Sequence, residues 1–577
     1  MTDPAVTASL PPRRHLLTVA VEDYFQAIAF RKLIASSQWY RFEQRVERNT
    51  LRTLDLLDES GVKATFFALG WVADELPEVL RAIVARGHEV ASKGYLHRTI
   101  QEMTPAEFRE DVQRSREAIE RATGTRVVGY RVARGQFGRE DLWALDILAD
   151  EGFAYDSSFY PRAFSTLAEP WRRFQFTHRH AGAQIEEFPL ATWEMPGGVL
   201  IPIAGGAYLR QFPHGLISRA IDRWDRRQRS PLVMYFHVWE LDPELPKITA
   251  APGHTQLRQY RNVEKMPAIL RHYLERYAFE PIREHMGLAA EPAQPCARKA
   301  ALVDVQPAAD ASGSQRKPVT LVIPCFNEQK VLPYLANTLR KVASDFDASY
   351  ELSYVFVDDG SSDATWQTLH TQFASFERCE FLRHEVNRGV AAAILTGIRA
   401  ARTEIVCSID CDCTYDPHQL RDLIPKLDEG VAVVTASPYH PSGRVLNVPG
   451  WRLFLSRGLS FMYRRLFNQK LYTYTSCFRA FRRSEVAHLE LRESGFLGVA
   501  EMLVQLDREG RRIVEQPAVL EVRLLGQSKM KLARTIRGHL RLLARMLTDS
   551  RTATSTVGPA AATTPGAVAP VEEPRSQ

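Results

Sequence analysis

The first 295 residues contain no cysteine. All seven (Cys296, Cys325, Cys379, Cys407, Cys411, Cys413 and Cys477) fall in the rest of the 577-residue chain. That distribution excludes a disulfide framework and fits a reducing compartment. Nowhere do the roughly 18–20 apolar residues that a bilayer span needs run uninterrupted. The early apolar stretch "HLLTVAV" meets Glu22 and Asp23 at once, and no A-x-A-like cleavage site follows, so no signal peptide is expected. The net charge is only +6, which does not call for nucleic acid. Internal repeats are absent as well. These absences lead to the expectation of a cytoplasmic protein.

What is present is ordinary for a folded protein: 45% hydrophobic and 25% charged residues. The length calls for two or three domains. Residues 289–317, rich in Ala, Pro, Ser and Gln, read as a linker. Residues 1–13 read as a flexible start, and the low-complexity stretch 551–577 as a disordered tail. Two blocks remain, 14–288 and 318–550.

In the first block "HLLTVAV", "ATFFALG", "VVGYRVA", "IEEFPLA" and "PLVMYFHVW" alternate with helical stretches near 46–59, 77–86 and 140–151. In the second, "VTLVIPCFNE", "YVFVDDGSSD", "CEFLRHEVNRG" and "EIVCSIDCDCTYDP" do the same. Such alternation predicts α/β folds, a mostly parallel sheet or barrel first and a doubly wound sheet second. Ligands are then expected at the carboxyl ends of the strands.

Acidic residues recur at three successive strand ends of the second block: Glu328, then Asp358 and Asp359, then Asp410 and Asp412. A lone carboxylate there often caps the following helix, as Asp363 can. An ordered series suits a nucleotide-sugar donor better. A D-x-D turn can hold Mg²⁺ or Mn²⁺ against a diphosphate, and a deeper carboxylate can accept hydrogen bonds from base or ribose.

Residues 318–545 resemble a family 2 glycosyltransferase of the GT-A fold, in the manner of polyprenyl- or dolichol-phosphate sugar transferases. The stretches that carry the likeness are "VIPCFNE", "VDDGSSD", "NRGVAAAILTGI", "DCDCTYDP", "SCFRAFRR", "GFLGVAEML" and "GQSKMK". The resemblance implies that Pro324, Asn327, Glu328, Asp358, Asp359 and Arg388 bind the nucleotide sugar. It implies Asp410 and Asp412 as catalytic metal ligands for Mg²⁺ or Mn²⁺, and Glu501 as an acidic group near the acceptor. Arg479, Arg482, Arg523, Ser528 and Lys529 would contact phosphates of donor or lipid acceptor. Two positions depart from the pattern: Cys413 replaces a common Gly, and Pro438 stands where relatives often carry Arg.

Residues 529–547 place Leu532, Ile536, Leu540, Leu543 and Leu547 at helical spacing among basic residues, and 451–470 repeat the theme with aromatics. Basic amphipathic helices either pack on a core or lie in an anionic membrane interface. A polyprenyl-phosphate acceptor, met at the bilayer surface, would favour peripheral contact at the inner face of the cell membrane.

The first block is similar to NodB-type polysaccharide deacetylases of the exopolysaccharide-associated subgroup. "VAVEDYF", "GHEVASKGYLH", "GYRVARGQF", "YDSSFYP", "EFPLATW" and "MYFHVWELDPELP" carry the likeness. It implies an incomplete (β/α) barrel and a zinc or other divalent site built from one Asp and two His. His237 would be the late histidine, and Arg131 and Asp156 would belong to the pocket. The acidic motif admits two registrations. In one, Glu22 is the base and Asp23 the metal ligand; in the other the pair falls at Ala20 and Glu22, and Ala20 has deleted one function. Only His97 remains of the two metal histidines, and Lys93 occupies the other place. A protonated lysine has donors and no lone pair, so it cannot ligate a cation.

The expected function is transfer of a sugar from a nucleotide-sugar donor to a lipid-linked or glycan acceptor in surface-polysaccharide synthesis, beside an inactive deacetylase-like domain that binds or positions glycan. The alternative is a bifunctional enzyme that transfers an N-acetylhexosamine and then deacetylates it.

Overall fold

The computed structural model describes residues 13–133, 139–161, 170–195, 199–203, 205–293, 316–448, 450–526 and 537–545. Ser528, Lys529, most of the interblock segment and the tail lie outside the described residues. The chain divides into two compact units. One takes residues up to 315 with 330–345 and 523–527; the other takes 316–329, 346–522 and 528–577.

The first unit contains strands β1 (Arg14–Val21), β2 (Thr65–Ala68), β3 (Glu89–Ser92), β4 (Gly129–Tyr130), β5 (Tyr155–Asp156), β6 (Phe176–His180), β7 (Ala183–Glu187), β8 (Thr192–Glu194), β9 (Leu200–Pro202), β10 (Val233–His237) and β11 (Ala278–Glu280). The main sheet runs β10-β1-β2-β3-β4-β5-β7-β6, and β11 pairs with the start of β1. Every pairing along that path is parallel except β6 with β7. Among the described residues the sheet is not closed: its path ends at β10 and at β6.

β1 is buried at every residue from His15 to Val21. A parallel strand with both faces covered needs this continuous apolar character rather than alternation. The helix Pro105–Thr123 shows how local sequence sets the boundaries. Thr104 and Glu107 form a capping box, Pro105 opens the first turn, and Gly124 ends the helix at φ 67°.

The second unit contains β12 (Lys317–Cys325), β13 (Tyr350–Asp358), β14 (Cys379–Arg383), β15 (Ile405–Ser408), β16 (Val431–Ser437), β17 (Arg444–Val445), β18 (Arg479–Arg482), β19 (Arg512–Pro517) and β20 (Val519–Leu520). Its sheet runs β14-β13-β12-β15-β18-β16-β19. β14, β13, β12 and β15 are parallel, while β18 is antiparallel to both its neighbours. The chain moves outward from β12 through β13 to β14, then returns to the other side of β12 with β15. That reversal opens a crevice at the carboxyl ends of β12 and β15, where doubly wound sheets bind ligands. The helix Val390–Ala400 lies close against the sheet through Gly397. A Cβ there would come within 2.3 Å of the Val322 side chain.

Candidate functional sites

In the first unit, strand ends bring four polar side chains together. Glu22 follows β1, Lys93 follows β3, His97 lies in the turn after it, and His237 ends β10. β1 and β10 are in register at Ala20 and His237, which sets the imidazole beside the end of β1. The Lys93 ammonium donates to Glu22 Oε2 at 2.7 Å and also meets His97 Nε2. His97 Nε2 lies 3.1 Å from the same carboxylate oxygen, and its Nδ1 lies 2.7 Å from the Gln26 carbonyl. His237 Nε2 is 3.6 Å from Glu22 Oε1. Its Nδ1 is 2.8 Å from Glu240 Oε1, and Arg210 Nε in turn donates to Glu240 Oε2 at 3.2 Å.

Burial alone would raise the Glu22 carboxyl. The charges of Lys93, His97 and His237 more than offset it and hold the group at about 2. Burial, aided by the Lys93 charge, presses His97 down to about 4, so its imidazole is neutral at pH 7. Burial also lowers Lys93, and Glu22 opposes that shift. The arrangement is a buried carboxylate neutralised by an ammonium.

A metal ion does not fit this donor set. The ammonium stands against both the carboxylate and the imidazole that would ligate one, and a catalytic zinc site takes three protein ligands. The carboxylate of Asp23 is taken up by backbone groups: its Oδ2 accepts from the N–H groups of Arg45 (2.6 Å) and Val46 (3.0 Å), and its Oδ1 from Tyr24 N–H (2.9 Å). It is the N-cap of the short helix Tyr24–Gln26 and also takes up free N–H groups at the start of the helix Val46–Glu59. Glu22 is the acidic group that faces the histidines.

Arg131 is buried and held by its neighbours. It donates to the Ser157 carbonyl and hydroxyl at 2.8 and 2.7 Å and to Thr18 Oγ1 at 2.9 Å. Asp156 accepts from the Ser158 hydroxyl at 2.7 Å and Ser158 N–H at 3.0 Å. Both residues stiffen the strand ends behind the cluster. Sequence reading missed Glu240 and Arg210, which orient His237. The signal for Glu240 was its i,i+3 spacing from His237 in "HVWE"; Arg210, 27 residues upstream, gave none.

In the second unit the crevice between β12 and β15 gathers the acidic series. The end of β12 touches the turn after β15, with Cys325 Sγ 3.8 Å from Cys411 Sγ, and Glu328 bears electrostatically on Cys411. Pro324 is half-buried near the end of β12. Asn327, at φ 53°, accepts from Ser362 N–H at 2.7 Å and so ties the β12 loop to the β13 loop. Glu328 N–H donates to Thr365 Oγ1 at 2.7 Å. Asp358 accepts from Ser361 N–H and pairs with Arg383 at 3.1 Å. Asp359 holds the segment before the helix Val390–Ala400, accepting from the N–H groups of Arg388 (2.8 Å) and Gly389 (2.7 Å), with His384 Nδ1 at 2.7 Å. Arg388 itself is exposed.

The Asp410–Asp412 turn is half-exposed. Asp412 Oδ1 accepts from Thr414 N–H at 3.1 Å, and the turn passes through Cys413 at φ 52°. Burial and then the Asp410 carboxylate push the Cys477 thiol well up, so negative charge is concentrated here. Oxygen donors of this kind suit a hard divalent cation. Among the described residues no three His, Cys, Asp or Glu side chains group to hold a metal. A Mg²⁺-type ion bound by one or two carboxylates and substrate phosphates needs no such group.

Three of the arginines expected at phosphates are engaged by protein groups. Arg479 is fully buried and donates to the carbonyls of Val499 and Tyr474, both at 2.9 Å, and to Thr435 Oγ1 at 3.3 Å. Arg482 donates to the carbonyls of Leu427 and Asp428 at 3.1 and 2.9 Å. Arg523 Nε donates to the Leu525 carbonyl at 2.8 Å. Glu501 is buried and accepts from the N–H groups of Arg492 (3.0 Å) and Glu493 (2.8 Å), bracing the loop before its own helix.

Comparison with known proteins follows this division. Residues 320–489 match the family model of glycosyl transferase family 2, and residues 35–153 that of polysaccharide deacetylase. Residues 157–287, which include His237, match a domain of unknown function, DUF3473. A dolichol-phosphate mannosyltransferase of Pyrococcus furiosus is 28% identical over 232 residues, 40% of this chain and 63% of the relative. An undecaprenyl-phosphate mannosyltransferase of Micrococcus luteus is 29% identical over 221 residues, 37% of this chain and 87% of the relative. Among solved structures, the glucosyl-3-phosphoglycerate synthase of Mycobacterium tuberculosis, in complex with Mn²⁺, UDP and glucosyl-3-phosphoglycerate, aligns with 41% of this chain and 79% of its own at 18% identity, TM-score 0.31.

Proposed function

We propose that this chain, which joins a polysaccharide deacetylase domain to a family 2 glycosyltransferase domain, transfers a sugar from a nucleotide-sugar donor to a polyprenyl-phosphate or other lipid-linked acceptor in surface-polysaccharide assembly. The observation that carries this reading is the meeting of the end of β12 with the Asp410–Asp412 turn at the point where strand order reverses. The relatives named for polyprenyl-phosphate sugar transfer support the acceptor class.

In the reaction an acceptor phosphate oxygen attacks the anomeric carbon, the bond to the diphosphate breaks, and the nucleoside diphosphate leaves with the electron pair. The acceptor is already ionised, so no general base is required. Glu328 and the loop held by Asp359 would bind the nucleoside, and Asp410 and Asp412 would hold Mg²⁺ or Mn²⁺. When bound, that ion supplies neutralisation of the departing diphosphate.

The helix Gly450–Leu466 supports a membrane-surface site at the inner face of the cell membrane. Its buried anchor is Tyr463, while Phe454 (79% exposed), Leu455, Phe461 (59%) and Met462 face outward on one side beside Arg457 and Arg465. An exposed apolar stripe with flanking cations fits an anionic interface. No helix among the described residues is long and apolar enough to cross a membrane.

The deacetylase-like domain acts in this reading as an inactive domain that binds or positions glycan. Lys93 fills the place of the metal beside Glu22 and His97.

The test is nucleotide release and glycolipid formation by the full chain from a panel of nucleotide sugars, with membrane extract and Mn²⁺. Turnover of one donor, lost in Asp412→Ala, is expected; no release from any donor overturns the proposal. Acetate release from N-acetylated oligosaccharides would instead favour the bifunctional alternative.

A further inference from the structure

A cleft of about 530 Å³ opens on the first unit between β8 and the helix His214–Arg227. None of its lining residues belongs to the Glu22–Lys93 cluster. Its volume lies within the roughly 300–1,000 Å³ of small-molecule clefts, and its lining is unusually rich in guanidinium groups.

Arg223 and Arg227 stand one turn apart on the helix, both exposed, both lining the cleft, and neither forms an ion pair among the described residues. Arg173 comes from the opposite side. It pairs with Glu194 at 2.6 Å and donates to the Thr192 carbonyl at 3.4 Å, but its Nε is buried without a partner. Thr192, 1% exposed, also lines the cleft, and its Oγ1 has no partner among the described residues. Among the described residues Glu194 is the one carboxylate of the lining and already faces Arg173, so three cations meet a single anion.

Two tryptophans complete the wall. Trp224 is fixed, its Nε1 donating to the Ser230 carbonyl at 2.9 Å and its ring lying 5.5 Å from Phe174. Trp193 is half-buried in the lining, with no ring partner among the described residues. An aromatic face with buried hydroxyl and N–H groups is the chemistry that receives a sugar ring. Guanidinium forks match carboxylate or phosphate oxygens in pairs.

We propose that this cleft is a binding site for a negatively charged saccharide, its ring against Trp193 and its anionic group between Arg223 and Arg227. The charge can come from a uronate carboxylate or from a sugar phosphate, and both use the same contacts. The site is separate from the transfer reaction and does not depend on it.

Isothermal titration of the full chain with trigalacturonate, glucose 1-phosphate and neutral cellotriose tests the proposal. Saturable binding of at least one charged ligand is expected, weakened at least tenfold in the double variant Arg223→Gln/Arg227→Gln and by 0.5 M salt, with cellotriose much weaker. Both arginines are exposed, so the double variant should melt with the wild type; Trp193→Ala should weaken the same ligand independently. Selective binding of trigalacturonate assigns a uronate, and selective binding of glucose 1-phosphate a sugar phosphate. Failure of both charged ligands to bind, equal binding of cellotriose, or binding unchanged in the double arginine variant overturns the site. Failure of the Asp412 activity test leaves these outcomes unaffected.

Discussion

At Lys93 an ammonium stands where the deacetylase resemblance implies a metal-ligating histidine. A cation is still present beside Glu22, but it is covalently attached and has no vacant coordination position. Lys93→Met would strand a carboxylate that is 1% exposed. Breaking a buried pair by removing one partner costs about 3–5 kcal/mol, and urea denaturation at pH 7 should show a loss of that order. Lys93→His would place an imidazole beside His97 and Glu22. Stoichiometric zinc measured by atomic emission is expected in that variant and not in the wild type; zinc already bound by the wild type would contradict the ammonium-for-metal reading.

The same cluster sets an acid response. His97 is held at about 4 against 6.5. Between those values the unfolded chain binds a proton that the folded chain does not, so this contribution is complete above about pH 6.5 and disappears toward pH 4. Glu22, held at about 2 against 4.5, adds a second loss between pH 4.5 and 2. Melting temperature against pH should therefore fall in two stages, and His97→Gln should reduce both, because the His97 charge also helps hold Glu22 down. Cys413 combines two opposed effects. It adopts φ 52° without the freedom of glycine but is buried, so in Cys413→Gly the relieved strain and the lost burial should nearly cancel, and stability should change by less than about 1 kcal/mol.

At the scale of elements, strand ends divide into those that present groups to the crevice and those that fasten the sheet. Arg479 begins β18 and is fully buried, with three hydrogen bonds that cross to β16, to the loop at Tyr474 and to the helix Gly495–Arg508. Lysine cannot reproduce that fork, so Arg479→Lys should cost about 2–4 kcal/mol. Any donor KM still measurable should stay near the wild-type value; a large KM increase without loss of stability would return Arg479 to the phosphate role. The helix Gly450–Leu466 behaves differently, because its outward apolar stripe lies on no neighbour among the described residues. Phe454→Ser/Phe461→Ser should reduce sedimentation with anionic vesicles several-fold and leave the melting temperature nearly unchanged. The helix 537–545 shows why periodicity alone was insufficient: Leu540 is exposed, but Leu542 and Leu543 are buried in the core of the second unit.

At the scale of the molecule, two units share one chain, and under the proposed function the covalent link raises the concentration of the first unit at the transferase's product. Their sites remain separable by substitution. Asp412→Ala should abolish nucleotide release without altering zinc uptake in the Lys93→His background, whereas Lys93→His should leave nucleotide release within about two-fold.

Sequence alone was sufficient for the strand–helix alternation of both blocks, for the acidic series Glu328, Asp358–Asp359, Asp410 and Asp412, and for the oddity of Lys93. These features are local: apolar runs, turn residues and short motifs are written in contiguous residues. Tertiary structure decided that Glu22 faces the histidines while Asp23 caps a helix, that Arg479 supports a sheet, and that Glu240 and Arg210 orient His237. Each of those outcomes depends on which way a strand end turns, and most depend on partners tens of residues away. A carboxylate or guanidinium has the same identity in a motif whether it meets a ligand or a backbone group. Only the packed neighbours, which take up its hydrogen bonds or leave them for a substrate, assign the role.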